Sequence, residues 1–263
     1  MIATATLNGF EIAYETYGEP GRPAVFLVHG LGADHTSMAP LAEALADRWF
    51  VVAHDAIGHG RSARPEQFTL AEQSRVLADL IAWLGHDRAA VVGESMGSYI
   101  AAQAAILAPG RIDPLVLLVT KGHGRTSSVA AFLARKGIDP RTLANEELIE
   151  VMDEAVWSPE TPPERRLELM EAAPVPVPLA PAELARVNAS LADFDLRPDL
   201  GQIQARTLVV SGRDDGLNPP ELGEEVANLI PGARFVVFEH SGHLLRIEEA
   251  DRFESLARDF LAG

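Results

Sequence analysis

The stretch VVGESMGSYI, residues 91–100, sets Ser95 between Gly93 and Gly97, where an apolar run gives way to an alanine-rich helical pattern. A strand-length apolar run followed at once by a helix, with glycines two positions to either side of a serine, predicts a turn too tight for neighbouring Cβ atoms. The serine is then held on a sharp corner, its hydroxyl projecting from the end of a sheet.

Working outward, apolar runs rich in Val, Ile, Leu and Phe occur at AVFLVHG (24–30), FVVAHD (50–55), AAVVGE (89–94), PLVLLVT (114–120), RTLVVSG (206–212) and ARFVVFE (233–239). Runs without alternation suit strands covered on both faces, as in a parallel sheet. Helical patterns lie between them at 37–47, 69–85, 95–108, 219–230 and 248–263, so the repeat of strand and helix predicts an α/β fold with helices on both faces. At the start, residues 3–18 read as a β-hairpin turning at Asn8-Gly9. The alternation stops between Gly122 and Pro198, where four helical patterns (128–137, 141–157, 162–173 and 181–194) surround the proline-rich link PVPVPLAP (174–181). We therefore expect a core of residues 1–121 and 199–263, with a helical lid, 122–198, inserted before the last two strands at the carboxyl edge where such sheets bind ligands.

Composition narrows the chemistry. The formal net charge of −16 disfavours nucleic acid and anionic membrane surfaces as partners. The absence of cysteine removes disulfides, thiolate metal sites and cysteine nucleophiles. There is no H-E-x-x-H, no G-x-G-x-x-G after the early strands and no Walker-type loop, so neither metal nor cofactor is expected. The N-terminus MIATATLNGF carries no signal-peptide pattern and no apolar run approaches a membrane span, which gives a cytoplasmic expectation.

A serine hydroxyl needs a base, and the base an orienting carboxylate. Downstream, SGRDDGLNPP (211–220) follows one apolar run and HSGHLL (240–245) the next, giving the order Ser95, an aspartate at 214 or 215, and a histidine. Of the two histidines we favour His243, which follows Ser241-Gly242 in a turn able to swing an imidazole towards the serine, over His240. Backbone N–H groups of Met96, next to the serine, and Leu31, in the glycine-rich loop HGLGA (29–33), are the expected oxyanion donors. DAIGHGRS (55–62) reads as a structured turn. His29, His123 and Trp157 are candidate pocket residues, and Met96, Met152 and Met170 join Trp157 as candidates for an apolar acyl pocket.

Taken together, LVHGLG (27–32), DAIGHGRS (55–62), GESMGS (93–98), SGRDDGLNPP (211–220) and EHSGHLLRIEEADRF (239–253) resemble the α/β-hydrolase fold superfamily over nearly the whole chain. They are closest in kind to compact, helical-lidded bacterial esterases, 3-oxoadipate enol-lactonases and haloperoxidase-like serine hydrolases. The resemblance implies that the acid is Asp215, the fourth position of G-x-x-D, and the base His243, with Leu31 and Met96 as oxyanion donors. It also implies cofactor-free hydrolysis of a small-molecule ester or lactone. Its pattern is departed from at Ser98, where glycine is common, and at Ala250, where proline is usual. The alternatives are a C–C bond hydrolase, for which Arg125 or Lys121 could hold a carboxylate, and a ligand sensor with little turnover. Oligomeric state is left open.

Overall fold

The computed structural model describes residues 2–142 and 145–263. Positions 143 and 144 of the helix expected over 141–157 lie outside the described residues.

In chain order the elements are β1 (Ala3–Leu7), β2 (Phe10–Tyr17), β3 (Ala24–Val28), α1 (Ala39–Leu45), β4 (Phe50–His54), α2 (Leu70–Trp83), β5 (Ala89–Glu94), α3 (Met96–Leu107) and β6 (Ile112–Leu118). There follow α4 (Ser128–Lys136), α5 (Asn145–Val156), α6 (Pro163–Ala172), α7 (Pro181–Ser190), β7 (Thr207–Gly212), α8 (Pro220–Leu229), β8 (Arg234–Phe238), α9 (Leu245–Glu248) and α10 (Ala250–Ala262). The eight strands form one sheet in the order β1-β2-β4-β3-β5-β6-β7-β8, parallel from β4 onwards along that order, with β2 running against both its neighbours. The hairpin turns where its sequence requires: Asn8 and Gly9 have φ of 51° and 85°, and Leu7 pairs with Phe10.

Strand side chains alternate between two cores. Phe26, Val28, Val91, Leu115 and Val209 pack with Leu77 of α2, Ile100 of α3 and Val226 of α8. On the other face Val25, Leu27, Val92, Val116 and Val210 pack with Leu45 of α1 and Phe253 and Ala257 of α10. Both faces are thus covered, which is why the runs read as continuous rather than alternating.

Helices α4 to α7 all lie between β6 and β7. One bridge not foreseen pairs His123 with Asp195, drawing the two ends of this segment together, and α7 stops at Ser190 where a helix to 194 was expected. Asp193, with φ of 58°, cannot continue a right-handed helix. The insertion keeps its own small core of Phe132, Leu133 and Ala155, with Leu217 packed against it. Among the described residues, no helix is long and apolar enough to cross a membrane.

Candidate active site

The loops leaving the carboxyl ends of β3, β5, β7 and β8 meet at one place. Ser95, between β5 and α3, has φ 52° and ψ −117°, a backbone conformation that costs a non-glycine residue about 1–3 kcal/mol. What enforces it is the close passage of backbone. A Cβ on Gly93 would fall inside contact distance of the Gly97 carbonyl, and one on Gly97 would strike the Val28 carbonyl. From Ala89 to Ala102, Ser95 is the one residue that is not buried.

His243 completes the arrangement. Its Nε2 stands 3.0 Å from Ser95 Oγ and its Nδ1 2.8 Å from Asp215 Oδ2. A carboxylate can only accept, so Nδ1 carries the proton and Nε2 is left to accept from the serine hydroxyl. The other oxygen of Asp215 accepts from the backbone N–H of Leu217 (2.9 Å) and Asn218 (2.8 Å), so the carboxylate cannot swing. Burial lowers the pKa of His243, but the charge of Asp215 and its hydrogen bond, reinforced by Glu94, outweigh it and hold the pKa above the ordinary imidazole value. Asp214 instead accepts from Ser158 Oγ at 2.6 Å, and His240 is exposed against Glu160, so neither joins the chain.

Met96 opens α3, where the first N–H groups have no partner within the helix. Leu31 sits in a loop whose neighbour Gly30 passes so close that a Cβ there would lie 3.6 Å from Ser95 Cβ. Two histidines brace this loop. His29 Nε2 accepts from the Ala56 N–H at 3.0 Å, which leaves the proton on Nδ1, donated to the Gly30 carbonyl at 2.7 Å. His59 Nε2 accepts from the Gly32 N–H at 3.3 Å, and its ring packs edge-on against His29. Burial drives the pKa of both down, that of His59 to about 3, so both are neutral acceptors. The expectation that His29 contacts substrate is corrected: it is fully buried and both ring nitrogens are spent on backbone.

The insertion grips the loops bearing Asp215 and His243. Carbonyls at the end of α5 accept from them, Ala155 from the Gly216 N–H (2.9 Å) and Val156 from the Leu244 N–H (3.3 Å). Trp157 is buried in this brace, between Val156 and a Ser158 whose N–H donates to Glu248. Met170 is 62 % exposed on α6, so the idea that it lines a pocket is also corrected. Met152 packs in the small core beside Phe132, and His123 is half-buried at the bridge to Asp195.

Sequence reasoning missed three groupings. Glu94, next to Ser95 at the end of β5, forms a buried ion pair with Arg246 at 2.9 Å. Asn218 donates to the Tyr99 hydroxyl (2.7 Å) and the Val119 carbonyl (2.6 Å), fastening the aspartate loop to α3 and β6. Asp34, His35 and Asp55 bring ligand atoms within 4.8 Å of one another, but those oxygens are engaged: Asp55 holds the N–H and ring of His35 and the N–H of Arg61, and Asp34 holds Thr36 and the Val177 N–H. Only the paired charges at 94 and 246 gave a sequence signal, and nothing in their spacing joined them.

A doubly covered parallel sheet that presents a bent serine, a histidine and an aspartate at its carboxyl edge defines a hydrolase class. A family model described as the alpha/beta hydrolase family matches residues 25–256, and the chain belongs to that family. It is 32 % identical, over 98 % of its length and 97 % of the relative's, to a Caulobacter vibrioides protein named "Putative carbamate hydrolase RutD". It is 30 % identical to a pimeloyl-(acyl-carrier protein) methyl ester esterase of Aliivibrio salmonicida, covering 94 % of this chain and 95 % of that one. Among solved structures, the enol-lactonase of Burkholderia xenovorans LB400 matches with a TM-score of 0.85 at 28 % identity, over 99 % of this chain and all of the other. These relatives are hydrolases, and the chain stands with them as an enzyme of that broad kind.

Proposed function

We propose that this protein hydrolyses a carboxylic ester or lactone of a small molecule through an acyl-enzyme on Ser95, with His243 as base and Asp215 as its orienting acid. The observation that carries the reading is the unbroken chain from Ser95 through His243 to Asp215, at 3.0 and 2.8 Å. His243 Nε2 takes the hydroxyl proton as Ser95 Oγ attacks the carbonyl carbon. The oxygen charge that develops is received by the N–H groups of Met96 and Leu31. Collapse expels the alcohol, which leaves with the proton from the imidazolium. Water then enters, gives a proton to the same nitrogen and attacks the acyl carbon. The acid departs and the serine recovers its proton.

In this reading no cofactor takes part, and residues 122–198 form a cap over a core of 1–121 and 199–263. Carbamates are a second substrate group, favoured by the 32 % identity to the Caulobacter protein of that name. The test is proton release in a pH-stat with short- and medium-chain esters, γ- and δ-lactones, an enol-lactone and a carbamate. Ser95→Ala is expected to lose at least about 10⁴-fold in kcat/KM on whichever member is turned over. Undiminished turnover by that variant would overturn the reading.

A further inference from the structure

Three residues past β6, Lys121 is 7 % exposed. Its Nζ donates to the Thr126 carbonyl at 3.1 Å and lies 5.8 Å from the centre of the Tyr99 ring. Among the described residues no carboxylate comes within ion-pair distance of it. The acids that act on the neighbouring His243 and His123 are themselves committed: Asp215 to His243, Glu94 to Arg246, Asp195 to Arg125 and Arg197, and Glu225 to Arg197. A buried lysine is ordinarily paired, and an ammonium with three donors and one neutral acceptor is a site with capacity left over.

Its position shows what that capacity faces. Tyr99, whose hydroxyl accepts from Asn218, stands beside both Ser95 and Ser128, so Lys121 and the reactive serine flank one ring. The charge of Lys121 is felt by His243 and by His123. Burial, with no counter-charge to offset it, brings the lysine pKa down to about 8.

We propose that Lys121 determines specificity by binding an ionised carboxylate on the substrate, so that half-esters of short dicarboxylic acids, or lactones bearing a free carboxylate, are the preferred class. The reaction rests on the hydrolase reading above, whereas the anion binding does not.

The first experiment is therefore made without turnover. Ser95→Ala is titrated calorimetrically with succinate, glutarate and adipate at pH 7, alone and combined with Lys121→Met. At least one diacid should bind, and the added substitution should weaken it by about tenfold or more. Equal affinity in both proteins, or no binding of any diacid, would overturn the proposal. The second experiment compares kcat/KM for monomethyl glutarate and methyl butyrate. In the unaltered enzyme the preference for the charged ester should fall about tenfold between pH 6.5 and pH 9.5, as the free amine loses its proton, a readout that needs no folded variant. Hydrolysis of both esters with no such preference would sink the Lys121 assignment and leave the hydrolase reading intact. Lysine-dependent diacid binding without turnover of any ester would do the reverse.

Discussion

Helices α3 and α6 are of similar length, twelve and ten residues, yet they are held by opposite means. Nine residues of α3 are buried and its first turn touches the strands, whereas α6 buries none. Its apolar Leu167 and Met170 are 59 % and 62 % exposed. Arg166, near its start, ties α6 down by donating to the Thr161 and Ser158 carbonyls and pairing with Asp153. The lesson is that geometry near the serine is overdetermined by packing, while the outer part of the insertion is attached at a few polar points.

The largest test of that contrast is Gly97→Ala. Its new methyl group would meet the Val28 backbone, and we expect a loss of more than about 4 kcal/mol, read as failure to fold or a collapsed Tm. Glu94→Gln should cost about 3–5 kcal/mol, since it strands the buried Arg246 guanidinium. It should also move the acid limb of kcat/KM to lower pH, because the charge of Glu94 helps hold the pKa of His243 up. An unmoved limb would mean that Glu94 does not help hold that pKa up.

Acid should destabilise the fold through its buried histidines. His29, His54 and His59 are buried with pKa values pushed down, His54 to about 4 and His59 to about 3, so the unfolded chain binds their protons first as pH falls below about 6.5. Stability is then lost between about pH 6.5 and about 3, each titrating histidine contributing about 1.4 kcal/mol per pH unit. His35 and His243, raised by their aspartates, are charged in both states over that range and do not offset it. Urea unfolding across the range measures the slope. The smallest effect belongs to α6: Leu167→Ser should change stability by less than about 0.5 kcal/mol, and a larger loss would reveal packing on that face.

The same contrast governs what the sequence disclosed. The inner strands of the parallel sheet declared themselves because both faces are buried, and the tight turn at Ser95 because its glycines answer to backbone contact rather than to side-chain preference. The order of Ser95, Asp215 and His243 was legible for the same reason: each follows its own strand. The supporting groups were not. His59 bracing Gly32, Asn218 joining Tyr99 to Val119, and Glu94 opposite Arg246 depend on contacts between segments 27 to 152 residues apart, which no local pattern encodes. The insertion was legible as helices but not in its attachment, since the carbonyls of Ala155 and Val156 that bind the aspartate and histidine loops are backbone atoms common to every residue.

The left-handed twist at Ser95 has a consequence for how this protein changes under selection. Glycine adopts that backbone without penalty, so Ser95→Gly would release the strain while removing the hydroxyl that stands 3.0 Å from His243. Under the proposed function, heat resistance and turnover therefore pull against each other at a single codon, and a lineage screened for survival at high temperature alone would drift towards durable, inert descendants.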